Sequence, residues 1–259
     1  MRKLPWSGML LMLTILLGCR GDKEMPWQPL FNGVDLTGWV PKITGHPVGV
    51  DPYGTFSAEE GSLVVRYAQY DSFANRFGHL FYEQPFDHFH LRLEYRFVGE
   101  QLMGGPDWAW RNSGVMFYSQ APETMTDGQD FPISLEAQFL GGDGATSRPT
   151  MNLCTPGTHV MIDERVVTDH CVTSSSRTFH GDQWVSAEII ATPDKIIHVA
   201  GGDTVLHYRH PTVGGGVVSG YDPTHKQDGT VLTGGYIALQ SESHPIEFRR
   251  IEVRRLAKD

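Results

Sequence analysis

The chain has 259 residues, 29 of them glycine and 16 proline, with a formal charge of −9. That length suits one sandwich domain or two small ones, and the acidic balance excludes the basic stripe that a nucleic-acid partner needs. No linker, internal repeat or low-complexity tract divides the sequence, so one domain over residues 30–259 is expected.

At the N-terminus, Arg2 and Lys3 precede an apolar run from Met9 to Leu17, and Leu16-Leu17-Gly18-Cys19 has the form of a lipobox. The run is too short to cross a bilayer as a helix and has the shape of a signal peptide. Residues 1–18 are therefore expected to be a lipoprotein signal peptide with Cys19 lipidated; the alternative is a plain secretory signal that happens to end in Cys. Two acyl chains on Cys19 hold a protein to the lipid bilayer stably where one does not. The expectation is an exported protein anchored to a bacterial cell envelope, with residues 19–29 as its tether.

Period-2 alternation then predicts strands over residues 62–66, 79–82, 89–98, 113–118, 133–140, 184–191, 195–200, 204–209, 236–241 and 246–254. Clusters such as Gly104-Gly105-Pro106-Asp107 separate them, and no segment holds a helical apolar period across its length. Many strands without helices imply an all-β fold of two packed antiparallel sheets. The Gly-rich stretch 211–233 reads as a long loop, either a lid over a groove or a disordered connection.

Alternation also sorts side chains onto faces. Leu91, Leu93, Tyr95 and Phe97 point to the core, with Arg92, Glu94 and Arg96 away from it. Ser113, Val115 and Phe117 oppose Asn112, Gly114, Met116 and Tyr118. Leu135, Ala137 and Phe139 point inward, which leaves Ser134, Glu136 and Gln138 together, on a groove or on a solvated outer face. Ile237 and Leu239 oppose Tyr236, Ala238, Gln240 and Glu242, and the apolar alternation at Ile246 and Phe248 resumes at Ile251 and Val253. Trp39 and Trp184 flank apolar runs and are assigned to the core. Trp108 and Trp110 lie in a Gly/Pro-rich loop, where an indole either stacks on a pyranose or caps the sandwich end.

With Cys19 in the anchor, Cys154 and Cys171 remain, an even pair that in an exported protein reads as a disulfide. Closing that loop contributes roughly 3 kcal/mol on the chain-entropy model. His159 and His170 nearby leave a divalent-metal site as the alternative, although no C-x-x-C spacing supports it.

Four stretches, in order, carry a resemblance. They are Leu30-Phe31-Asn32-Gly33-Val34-Asp35-Leu36-Thr37-Gly38-Trp39; Phe89-His90-Leu91-Arg92-Leu93-Glu94-Tyr95-Arg96; Asn112-Ser113-Gly114-Val115 with Leu135-Glu136-Ala137-Gln138; and Gly235-Tyr236-Ile237-Ala238-Leu239-Gln240, running on to Phe248-Arg249 and Ile251. Together they resemble the 3-keto-disaccharide hydrolase domain family, once catalogued as a domain of unknown function. The resemblance implies a concanavalin A-like jelly roll with its ligand site on the concave sheet, and a hydrolase acting on 3-keto-glycosides or 3-keto-disaccharides. One departure stands out. Where members carry an Asn-Gly hairpin tip, this chain has Ala200-Gly201-Gly202-Asp203, which keeps the turn chemistry but not the Asn.

A glycosidase on such a fold would set paired acids along one strand as E-x-D-x-x-E. Residues 136–141 read Glu-Ala-Gln-Phe-Leu-Gly, so the second and third acids are absent. A 3-keto sugar needs less, because its ketone acidifies the C2 proton. One base removes that proton, the C1 substituent leaves, and water adds back. Glu136 is the candidate base, with Gln138 and Asn112 as amide donors. His159 and His170 are candidates for the acid or for metal ligation, or else they bond the loop around the disulfide. Arg111 either binds substrate oxygen or sits at a strand entrance. Gln240 and Glu242 join the substrate-binding set if their strand lies near Glu136. The alternatives to an enzyme are a non-catalytic carbohydrate-binding module at the cell surface and a structural module of a surface assembly. A lectin groove needs aromatics and amides but no base with a perturbed pKa.

Overall fold

The computed structural model describes Met1 and residues 25–257; the expected cleavage site and Cys19 lie outside the described residues. Among these, seventeen strands run in chain order. They are β1 (Gln28–Pro29), β2 (Trp39–Ile43), β3 (Phe56–Glu59), β4 (Ser62–Val65), β5 (Gly78–Tyr82) and β6 (Phe89–Phe97). Next come β7 (Asn112–Ser119), β8 (Leu135–Leu140), β9 (Asn152–Cys154), β10 (Thr158–Ile162), β11 (Arg165–Val167) and β12 (Cys171–Val172). The last are β13 (Val185–Thr192), β14 (Lys195–Ala200), β15 (Asp203–Val213), β16 (Tyr236–Ser241) and β17 (Ile246–Arg255). All ten expected strands are present. Those not expected are short, and β2 carries Pro41, which a strand tolerates at a sheet edge.

The strands form two antiparallel sheets. One has the order β11-β10-β15-β14-β13-β6-β17-β4-β3 with β1 beside β17; the other has the order β12-β9-β8-β7-β16-β5-β2, so β2 is indeed an edge. Leu93, Tyr95 and Phe248 from the first sheet meet Val115, Leu135, Phe139 and Ile237 from the second in one core. Tyr95 stacks on Phe139 with centroids 4.1 Å apart. This is the expected jelly-roll sandwich, and the β14–β15 turn places Gly201 and Gly202 at φ 60° and 92°.

Two expected side-chain placements are corrected. Tyr118 belongs to the core, packing on Phe89, and not to the face of Gly114 and Met116. Its φ of 47° and the register shift where β7 meets β16 mark a bulge, and the extra residue turns two consecutive rings inward. A second bulge at Arg250, φ 52°, shifts β17 against β6 and accounts for the change of phase between Phe248 and Ile251. Trp184 is the other correction. It lies half-buried outside the ten-stranded sheet, beneath Arg249 at 4.0 Å and Arg96 at 4.7 Å, because a side chain at the start of β13 alternates to the outer face.

That outer face pairs its charges internally: Arg92 with Glu252, Arg96 with Glu247, and Arg249 with Glu94. The end of the expected tether joins it, since Gln28 and Pro29 pair with Val253 and Glu252 and Trp27 stacks under Arg92 at 3.9 Å. The expected loop after β15 is tied down at its start, with Gly157 N–H donating to Gly216 and Ser219 bonded to Asp130.

Candidate active site

The seven-stranded sheet turns a different kind of surface outward. Alternation on β8, β7 and β16 sends Glu136, Gln138, Asn112, Gly114, Met116, Ala238 and Gln240 to this side, opposite the core residues of the same strands. Register sets Glu136 beside Met116 and Gln138 beside Gly114, while Leu239 opposite Val115 brings Glu242, just past the end of β16, toward Asn112. The carboxyl that the sequence did not place on the Glu136 strand thus arrives from another strand.

A cleft of about 620 Å³ opens here, and Glu136, Gln138, Asn112, Glu242, Trp108 and His170 line it. Four other expected site residues lie outside its lining. His159, on β10, packs against Gly214 and Gly215 and pairs with Thr212 in the other sheet. Arg111 gives its guanidinium to Gly181 and Asp182. Trp110 packs edge-on against His244 and near Arg148. Gln240 is fully buried beneath the cleft, in register with His79.

Glu136 is 5% exposed and Glu242 3%, and neither carboxylate has a hydrogen-bond or ion-pair partner among the described residues. Burial raises the Glu136 carboxyl well above its ordinary value. Glu242 is raised by burial and then by the charge of Glu136. Two unpartnered buried carboxyls beside each other cannot both ionise cheaply, so the pair retains a proton where isolated acids lose theirs. One member then serves as base while the other remains an acid.

The remaining polar groups are partly spent. Gln138 accepts from the Asn152 amide, and among the described residues its own N–H groups are unused and the Asn112 Oδ1 is buried without a partner. His170 also has an unpartnered Nδ1, and burial lowers its pKa so that the ring stays neutral. Arg148 on the cleft wall donates to the carbonyls of Arg111, Gly141 and Trp108.

Sequence reasoning missed His79 and His244. Both are buried with both ring nitrogens unpartnered among the described residues, and burial lowers their pKa values to about 3 and about 4. Lys42, itself buried and donating to Ile43 and Asp127, adds to the His79 shift. Alternation with Phe81 was the signal that put His79 on this face; nothing local marked His244.

The expected disulfide is present: Cys154 and Cys171 are bonded and pair across β9 and β12. With His170 they form a group whose ligand atoms lie within 4.8 Å of one another. The bonded sulfurs offer no thiolate, and His159 is not among them, so these residues do not fit a metal ion.

A sandwich whose one open sheet face carries a carboxyl-floored, aromatic-rimmed cleft belongs to the carbohydrate-active jelly rolls. More narrowly, the 3-keto-alpha-glucoside-1,2-lyase-like domain family matches residues 26–254, and the chain belongs to it. No curated protein matches the chain. Among solved structures, a candidate glycosyl hydrolase from Parabacteroides distasonis is 14% identical, with 89% of this chain and 94% of that chain covered and a TM-score of 0.54. A second from the same organism is 16% identical, covering 89% and 100%, with a TM-score of 0.53. The exoplasmic/lumenal domain of VIP36, solved bound to Ca2+ and Man3GlcNAc, is 8% identical, covering 88% and 87%, with a TM-score of 0.50. At these identities the likeness is one of fold.

Proposed function

We propose that this protein cleaves the glycosidic bond of 3-keto-glycosides by elimination across C1 and C2, followed by hydration. The observation that carries this reading is the pair of buried, unpartnered carboxyls, Glu136 and Glu242, on one cleft. Ionised Glu136 takes the C2 proton, and the electron pair moves onto the C3 ketone oxygen as an enolate. The enolate collapses to a C1–C2 double bond and expels the C1 oxygen, which takes a proton from Glu242. The Gln138 amide N–H groups are the donors for the enolate oxygen. Water adding its hydroxyl to C1 and its proton to C2 completes net hydrolysis. A family named for a 1,2-lyase fits the first half of this sequence.

The test is aglycone release from a 3-keto-glycoside and from the same glycoside with its C3 hydroxyl intact. Release from the ketone alone is expected. Equal release from both would favour direct displacement by two carboxylates, and binding without release of either would make this a carbohydrate-binding module.

The lipobox supports placing the activity at the cell envelope, with Cys19 carrying the anchor. Labelled palmitate incorporated by the wild type and lost in Cys19→Ala is the expected result.

A further inference from the structure

The cleft's buried carboxyls and its exposed large apolar side chains are different sets of residues. Its most buried hydrogen-bonding groups are the carboxyls of Glu136 and Glu242 and the Asn112 amide, beside the buried Cys154 and Pro156. Its exposed large apolar side chains are Trp108 at 53% and Val217 at 54%, with Phe131 and Leu140 half-buried. A sugar ring therefore meets hydrogen-bonding groups at the floor, while whatever is attached at C1 meets carbon.

The mouth is built, not merely bare. The Trp108 indole lies nearly parallel to Phe77, with centroids 6.1 Å apart and planes at 12°, and Phe131 packs on the same Phe77 ring at 4.7 Å. Val217, on the lining of the same cleft, sits at φ 55°, a conformation that a β-branched residue adopts only under constraint. The constraint is visible. Ser219, two residues on, is held by both carboxylate oxygens of Asp130, and Gly216 accepts from Gly157.

A second sugar at this mouth would find few partners for its hydroxyls. Arg148 gives three of its five N–H groups to backbone carbonyls, and His170 adds a buried Nδ1 without a partner among the described residues. Trp108 offers one apolar face to a pyranose, but the apolar Val217 and Leu140 of the same lining strip water from its hydroxyls without replacing it. A flat aromatic ring loses nothing on entering the same space and gains contact on both faces.

We propose that the cleft selects 3-keto-glycosides whose aglycone is aromatic, with the sugar on the carboxyl floor and the aglycone between Trp108 and Val217. This rests on the reading of the function given above. The experiment compares a benzyl 3-keto-glucoside, whose leaving oxygen is an alkoxide like that of a sugar, with a 3-keto-disaccharide of the same anomeric form. In parallel, calorimetry measures binding of the unoxidised benzyl glucoside and the unoxidised disaccharide. The benzyl compounds are expected to lead by about tenfold in kcat/KM and in affinity, as burial of one more ring implies. Trp108→Ala and Val217→Asp should each move both ratios toward one. Equal or better use of the disaccharide by the wild type overturns the proposal. If neither keto compound is turned over but benzyl glucoside still binds tighter, the selectivity stands and the reaction assigned above falls. If neither is turned over and both bind alike, both fall.

Discussion

Glu136 leans over Gly114: a Cβ at position 114 would lie 2.6 Å from the Glu136 Oε1 and 2.9 Å from its Cγ. The glycine of the Asn112-Ser113-Gly114 stretch is therefore a space for the carboxylate, not a backbone requirement. Gly114→Ala should push the side chain off its position while the strand survives, since the nearest atoms belong mostly to a side chain free to rotate. A displacement of this order costs about 10²-fold in rate. Steady-state kinetics beside a thermal melt check it, and unchanged turnover would separate Glu136 from the chemistry.

Glu136→Gln and Glu242→Gln should part rate from stability. Loss of a general base or acid costs about 10² to 10⁴ in rate. Each substitution also removes a buried carboxyl raised above its ordinary value of 4.5. The folded protein keeps these protons where the unfolded chain has lost them, so stability falls as pH rises from the ordinary value through the raised one. The variants are expected to melt above the wild type at about pH 8 and close to it at about pH 4. A variant that melts lower at alkaline pH would show that its carboxylate has a partner.

The same shift sets the pH profile of the reaction. A base raised by burial is protonated, and inactive, over a range where an exposed glutamate works. The acid limb of kcat/KM should therefore have its midpoint above the ordinary 4.5, and it should vanish from the residual activity of Glu136→Gln. A limb at the ordinary value would mean that the cleft is wetter than its geometry.

His198 is one of the buried imidazoles that couple stability to acid. It is fully buried, with its two ring nitrogens on the Met151 carbonyl and the Tyr208 hydroxyl. Burial lowers it from 6.5 to about 4. The unfolded chain binds a proton that the folded one refuses, so stability is lost as pH falls from 6.5 toward 4. Each imidazole of this kind costs about 1.4 kcal/mol per pH unit within its window. Denaturant unfolding at stepped pH should give a shallower acid slope in His198→Gln, by about one proton.

Reducing Cys154–Cys171, which are 17 residues apart, should cost roughly 3 kcal/mol through loop entropy. The bridge also lines the cleft beside His170, so substrate affinity is expected to fall together with the melting temperature. Melting and binding with and without reductant measure both, and a Cys154→Ser/Cys171→Ser protein should reproduce the reduced state.

The sequence by itself determined the sandwich, because period-2 alternation of apolar residues on ten strands leaves little but two sheets facing each other. It also determined which side chains could share the open face: Glu136 with Gln138, Asn112 with Gly114, Gln240 with Glu242. Where alternation slipped, at Tyr118 and Arg250, a bulge had added a residue that no pattern announces. Strand order was decided only in three dimensions. The adjacency of β8, β7 and β16 brought Glu242 to Glu136 and left Gln240 underneath, and the placement of β10 in the other sheet carried His159 away. The reason is physical: alternation is a local property of one strand, whereas neighbours across a sheet are chosen by the packing of the whole core.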